Sequence, residues 1–271
     1  MGAKIQDLIF AKTTLVGSGL AALFLIERLF PAARPGEPDP GEPSGMGHRL
    51  GRNLGLWVIN LFLSPLAIVP LTAAATDHAL TWRIAATPWW QGGVGLILDL
   101  LILDLFIYGW HRANHRWPFL WRFHQVHHRD RFLDVTSSLR FHFGEVLLSA
   151  MARAVFIVCT GIPLSSVVVF ESVLLLAAAF HHSNIKLPPV FEALLSKAIV
   201  TPSIHWVHHH RLRRDTDSNY ATVLSCWDVI FTSRSTSKRT SDMPIGVEGE
   251  SELRLSDLLI LPVCNKKSRL E

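Results

Sequence analysis

Long, uninterrupted apolar runs constrain this chain more than any other feature. A helix that crosses a bilayer needs roughly 20 apolar residues at about 1.5 Å of rise each. Three runs approach or reach that length: Thr13 to Phe30, Asn53 to Ala75 and Gly93 to Trp110. Glu145 to Phe180 is long enough for two helices, and Gly161-Ile162-Pro163 interrupts it in the middle, as a helical hairpin would. A soluble fold of this composition would break such runs with polar positions. Pro65 and Pro70 in the second run are better tolerated by a membrane helix than by a soluble one. Nine tryptophans in 271 residues fit a chain with two membrane–water interfaces. The expected fold is all-α: an integral membrane bundle of four to five helices, one pair a hairpin, with a histidine-rich cap. It reads as a single domain over 1–271, with a core over 27–232 and a polar tail over 233–271. Pro31 to Gly47 reads as an irregular connector, Thr232 to Glu250 as loose chain, and Ser251 to Val263 as a short amphipathic helix. The first run ends in Glu27-Arg28 rather than in small residues, so it is expected to stay as an anchor.

Charge sets orientation. The formal net charge is +4, but the arginines flank apolar runs and no nucleic-acid motif is present, so a lipid-facing flank is the better reading than a nucleic-acid partner. The loop after the second run holds only Arg83 and Asp77. The segment after the third holds Arg112, Arg116, Arg122, Arg129, Arg131 and Arg140, and the chain after His181 is basic as well. These regions, with Arg34, Arg49 and Arg52, are expected on the cytoplasmic side. Cys159, Cys226 and Cys264 are far apart and form no C-x-x-C pair, so neither a disulfide framework nor a thiolate metal site is indicated.

Twelve of the fourteen histidines fall between positions 111 and 210. His111 and His115 form H-x-x-x-H; His124, His127 and His128 form H-x-x-H-H; His205, His208 and His209 repeat that pattern, with His210 next. His142, His181 and His182 lie between, whereas His48 and His78 stand outside the constellation. Helical residues three and four apart share a face, with Cβ atoms roughly 5–6 Å apart, so two imidazoles at that spacing can converge on one ion. In H-x-x-H-H the first ring can pair with either of the other two, so one cluster can serve two ions. The membrane topology independently brings all three clusters to one side. Four ligands satisfy a structural zinc; eight to ten histidines suggest two ions. There is no Glu-x-x-His pair of the carboxylate-bridged kind and no H-E-x-x-H. An all-histidine pair of ions at a membrane edge points to iron, with zinc as a possible substitute.

These residues resemble the sterol desaturase / fatty acid hydroxylase superfamily of membrane di-iron oxygenases. The resemblance runs from about Glu27 to Phe231. It rests on Glu27-Arg28-Leu29-Phe30-Pro31, on Asp104 to His115 (DLFIYGWHRANH), on Leu120 to His128 (LWRFHQVHH), and on Arg140 to Glu145 as R-x-H-x-x-E. His182-Ser183-Asn184, His205 to His209, Asn219-Tyr220 and Trp227-Asp228 complete it. The chain departs at Ala221, where glycine is common, and at Thr232-Ser233, where Gly-Thr is common.

The resemblance implies a membrane stalk topped by a cytosolic cap with two irons. Their ligands would be His111, His115, His124, His127, His128, His142, His182, His205, His208 and His209. No catalytic side chain beyond the ligands is implied. Supporting residues would be Asp104, Glu145, His181, Asn184, Asn219 and Asp228. Asp104, a charge inside an apolar helix, needs a partner: either a buried arginine, or a role in orienting a ligand or lining a cavity. Glu145 reads equally as a helix N-terminal charge, and Asp228 as a surface ion-pair member. The implied activity is hydroxylation of a lipid C–H bond with O2, with desaturation or ether-lipid cleavage as alternatives. The chain holds no haem, flavin or nicotinamide motif, so a separate ferredoxin- or cytochrome-type electron donor is implied. The expected setting is multi-pass in a bacterial inner membrane rather than the endoplasmic reticulum. Outside enzymology, the alternative is a membrane metal-binding protein.

Overall fold

The computed structural model describes residues 2–35, 45–81 and 90–264. The expectations for Arg83, for the middle of the connector (36–44) and for the end of the tail (265–271) fall outside the described residues. Among those described, the chain is helical with no strand; three isolated bridges, Pro31 with Ile185, Ile199 with Leu224 and His210 with Ile245, tie loops together.

The first helix, α1 (Gly2–Leu29), carries an apolar stretch from Phe10 to Leu29. Helix α2 (Met46–Leu63) runs through a π turn at Ser64–Ile68 into α3 (Val69–Asp77), giving one apolar rod of 32 residues. Pro65 lies within that turn and Pro70 just after it. Each lacks an N–H, which loosens the ladder and lets the helix widen locally rather than end. Helix α4 (Gly92–Arg116) is followed by α5 (Pro118–His128). The break comes at Trp117, whose extended backbone (φ −98°, ψ 119°) is what a residue before proline prefers. The hairpin is α6 (Phe143–Thr160) and α7 (Leu164–His182), with Gly161 at φ 69° ending the first arm in the left-handed conformation glycine adopts cheaply. Among the described residues, five helices are thus long and apolar enough to cross a membrane. The chain is an integral membrane helical bundle. Helix α7 packs on α1 and α4, and α6 packs on α3. Ala75, Leu103, Ile107, Ile157, Val167 and Phe170 are buried between them. Lys12 and Arg153 both pair with Glu171, Arg153 at 2.9 Å, so these three charges within the spans satisfy one another.

The cap is built from short pieces: α5, α8 (Pro189–Leu195), α9 (Pro202–His208), α10 (Arg213–Thr216), α11 (Cys226–Ile230) and α12 (Leu255–Cys264). The stretch after residue 232, read as loose, is packed. Ile245 is buried against Phe132, Leu133 and Trp206, and α12 seats Leu258 and Leu261 on Leu56 and Val126.

One ion network joins spans to cap. Arg49 on α2 donates to both carboxylate oxygens of Asp130 (2.7 and 2.9 Å) and of Asp134 (2.7 and 3.1 Å), and to Ser137 Oγ. Arg140 donates to Val126 O, Asn53 Oδ1 and Glu252 Oε1. Asp130 is fully buried, and the Arg49 and Arg140 guanidiniums hold its carboxyl down at about 2 despite that burial. Arg49→Ala would leave Asp130 and Asp134 buried without that cation. We expect a loss of about 3–5 kcal/mol, read as a lowered unfolding temperature of the detergent-solubilised protein. Arg213→Ala, which breaks an exposed pair with Asp217, should leave it within experimental error; equal effects would contradict this account of the network.

Candidate metal centre

Nine histidines converge at the junction of bundle and cap. His111, His115, His124, His128 and His208 offer ring nitrogens within 4.8 Å of one another, and His127, His182, His205 and His209 do the same. The secondary structure explains the sorting. Along α5, His124 and His128 are one helical step of four apart and join the first group, while His127 faces the second. In the other H-x-x-H-H, His205 and His209 join the second group and His208 the first. The two groups abut: the His128 and His209 rings stack with centroids 4.2 Å apart.

Backbone acceptors aim the rings. Nδ1–H of His111 donates to Tyr220 O (2.8 Å), that of His127 to Arg140 O (3.1 Å), that of His182 to Ala178 O (2.7 Å) and that of His208 to Ser218 O (2.6 Å). His124 Nδ1–H donates to Glu145 Oε1 at 2.7 Å. With Nδ1 carrying the proton, the lone pair is on Nε2, pointing inward. The Nε2 atoms meet in pairs: His124 with His128 at 3.2 Å, His127 with His182 at 3.0 Å, His182 with His205 at 3.0 Å, His205 with His209 at 3.1 Å, and His111 with His208 at 3.1 Å. Lone pairs this close repel unless a cation stands among them. Two nitrogens bound at about 2.1 Å to one ion and at right angles sit about 3.0 Å apart. The donor set therefore fits metal ions.

Burial and mutual repulsion push His127, His128, His205, His208 and His209 well below the ordinary imidazole value. They are neutral imidazoles at neutral pH. A histidine so depressed binds fewer protons in the folded chain than in the unfolded one once pH falls below about 6.5. Stability then rises with pH, so it is lost as pH falls through that region. The metal-free protein should unfold at progressively lower denaturant between about pH 7.5 and 5.5. A flat profile would show that these rings do not titrate on unfolding.

The remaining expected site residues separate clearly. His142 joins neither group: its Nδ1 accepts Gly144 N–H at the start of α6, and its Nε2 contacts Leu259 O. It acts as a helix cap. His181 stacks on His205, centroids 3.9 Å apart, and bonds Thr222 O, outside both groups. His210 bonds Asp215. Glu145 receives Asn114 Nδ2–H as well as His124, so it is both a first-turn charge of α6 and the anchor of a ring. Asp228 is buried and accepts Tyr220 N–H, Ala221 N–H and Ser233 Oγ–H, shaping the loop whose Tyr220 carbonyl holds His111. Asn219 secures Ile204 O and Ser235 N–H behind α9. Asn184 and Glu27 lock the end of α1: Asn184 brackets Ala33, and Glu27 Oε2 accepts Asn184 N–H and Val135 N–H. Asp104 accepts Leu224 N–H and Trp227 Nε1–H, where the sequence leaves a buried arginine or a histidine as its partner.

Two contributors escaped the sequence reading. Asp217 Oδ1 lies 3.5 Å from His115 Nδ1, and carbonyls at Arg140, Ala178, Ser218 and Tyr220 hold four rings. A carbonyl carries no residue identity, so only the fold exposes it. Glu145→Ala should weaken metal binding by the five-histidine group about 10–100-fold, measured by chelator competition. Unchanged affinity would remove Glu145 from the site.

The fatty acid hydroxylase family model matches residues 96–233, half of the chain and all nine convergent histidines. The chain belongs to the fatty acid hydroxylase family. It is 26% identical to the ornithine lipid hydroxylase OlsE of Rhizobium tropici over 237 residues, covering 86% of this chain and 70% of that protein. It is 34% identical to the alkylglycerol monooxygenase of Xenopus tropicalis over 53% of this chain and 29% of that one. For the human alkylglycerol monooxygenase the identity is 33% over 58% of this chain and 34% of the relative. The chain thus spans about a third of the alkylglycerol monooxygenases. No solved structure matches it.

Proposed function

We propose that this chain is a membrane-embedded oxygenase that hydroxylates a C–H bond of a lipid, with two iron ions held by the nine convergent histidines. The observation that carries the reading is the pair of adjoining all-histidine groups at the mouth of a membrane bundle. Likeness to proteins named as lipid hydroxylases and monooxygenases supports the reaction class. Bound iron would supply O2 activation and hydrogen abstraction. The reaction R–H + O2 + 2 e⁻ + 2 H⁺ → R–OH + H2O requires electrons from a separate donor, of ferredoxin or cytochrome type. The cleft lined by Arg112, Arg116, Arg214 and Arg234, beside Asp217, supports an acidic carrier.

The chain's own residues account for the rest. Backbone carbonyls keep the Nδ1 protons and leave Nε2 free to bind. Buried Trp121 and Tyr220 flank His115, and Phe141 stacks on His127, so the site is walled by apolar rings that exclude water. The cap lies on the cytoplasmic side by the arginine distribution, and the setting is a bacterial inner membrane. A second outcome on the same centre, cleavage of an ether lipid, is favoured by the higher identity to the alkylglycerol monooxygenases.

Metal analysis tests the ligand assignment. The purified protein should hold two irons per chain. His127→Ala should lose about one of them, whereas His142→Ala should keep both. One zinc per chain without O2 uptake would sink the oxygenase reading in favour of a metal-binding protein. Lipids from cells with and without the protein should differ by a species one oxygen heavier; loss of two hydrogens instead would identify a desaturase.

A further inference from the structure

Two short helices of the cap have outward faces that suit no aqueous surface. Helix α8 buries none of its residues. Its exposed side chains are Val190 (75%), Phe191 and Leu194, and its one charged group, Glu192, is turned back to accept Ser203 N–H. Helix α11 and the residue after it expose Val229, Ile230 and Phe231. Solvent-facing patches of this kind mark contact with another apolar phase.

The backbone shows how deep they lie. Asp104 sits in the membrane-spanning part of α4, seven residues before His111 and so about 10 Å further from the cap. Its carboxylate accepts Leu224 N–H at 3.0 Å and Trp227 Nε1–H at 2.7 Å, which pins the start of α11 beside the span. Leu224 bridges Ile199, and Val200 N–H donates to Val223 O, so the segment leaving α8 is held at the same level. On α8's other side, Lys186 N–H donates to Phe30 O at the end of the α1 span. Both helices are therefore continuous with the lipid-facing wall of the bundle. Exposed Lys186, Lys197 and Arg234 flank them, where long cationic side chains reach toward anionic headgroups.

We propose that α8 and α11 lie in the plane of the bilayer, with Val190, Phe191, Leu194, Val229, Ile230 and Phe231 immersed at the boundary of headgroups and acyl chains. The occupant of these faces is the lipid surface itself. The cap is then seated in the membrane rather than raised above it, and the Tyr108–Phe231 stack, edged by the Tyr220 ring that also meets His111, stands at acyl-chain level. This inference does not depend on which metal or reaction the centre supports.

Spin labels read depth directly. Val190→Cys, Leu194→Cys and Ile230→Cys would be made in a full-length chain with Cys159, Cys226 and Cys264 replaced by serine. Arg214→Cys and Lys238→Cys serve as water-facing controls. The proteins would be placed in vesicles of phosphatidylcholine and phosphatidylglycerol. Labels at 190, 194 and 230 should collide with O2 more than with Ni-EDDA, the inverse of the ratio at the controls. All five positions are exposed, so labelling sacrifices no packing. Bimane at the same three cysteines should also lose emission to brominated acyl chains. A Ni-EDDA ratio matching the controls overturns the proposal. So does shielding from both collision partners without bromine quenching, which would assign these faces to a protein neighbour or a second copy of the chain.

Discussion

Everything at the site depends on which nitrogen of each imidazole carries its proton. Four backbone carbonyls and one carboxylate take the Nδ1 protons of His111, His127, His182, His208 and His124, and this turns the Nε2 lone pairs toward one another. The carbonyls of Arg140, Ser218 and Tyr220 belong to loops rather than to the elements carrying the rings, while Ala178 O lies one turn before His182 on α7. Ring orientation is thus largely a product of tertiary structure. Burial completes the effect: in a dry site the neutral form wins, and a neutral imidazole is the form that binds a metal. Nε2 atoms about 3 Å apart with lone pairs turned inward form a donor set that suits a cation.

That arrangement needs a rigid support at the edge of a bilayer. The Arg49–Asp130–Asp134 cluster supplies it by linking α2 to the chain just past His128. Arg140 performs two tasks at once, giving its carbonyl to His127 and its guanidinium to Val126 O, Asn53 and Glu252. Glu252 brings the C-terminal segment into the same network, which is why a polar tail packs rather than trails. Isolated buried pairs add little to stability. Here each charge is satisfied by several donors, and the gain is register between span and cap.

The spans and the ligand clusters were legible in the sequence because each depends on a short-range period. Twenty apolar residues mark a span, and H-x-x-H-H marks a helical face. The hairpin break at Gly161 and the short C-terminal helix follow from equally local signals. What escaped was the choice of partner, local for His142 and distant for Asp104 and Asp228. His142 sits in a motif that looks like ligation, yet its ring folds back onto its own helix start, two residues away, where capping Gly144 N–H competes with reaching across to the ions. Asp104 was legible as a charge needing a partner, but not that the partners would be Leu224 and Trp227, 120 residues further on. Asp228 could be read as a surface charge until the fold buried it beneath Tyr220 and Ala221.

The loop from Asn219 to Ser233 bears unequally on the two histidine groups. Asn219 and Thr232 both have φ of 51°, a conformation costly for a threonine. The loop holds it because Asn219 N–H bonds Ser233 O while Ser233 N–H bonds Asp228 O. A glycine at 232 would need no such restraint, so the departure from the usual Gly-Thr is compensated by its neighbours. The consequences for the rings are uneven. His111 takes its acceptor, Tyr220 O, from this loop, and His208 takes Ser218 O from its edge. His127 and His182 take theirs from Arg140 and Ala178, far from it. Changes here therefore bear directly on the five-histidine group and the adjoining Tyr108–Phe231 surface, and reach the four-histidine group through Thr222 O, which holds the His181 ring stacked on His205.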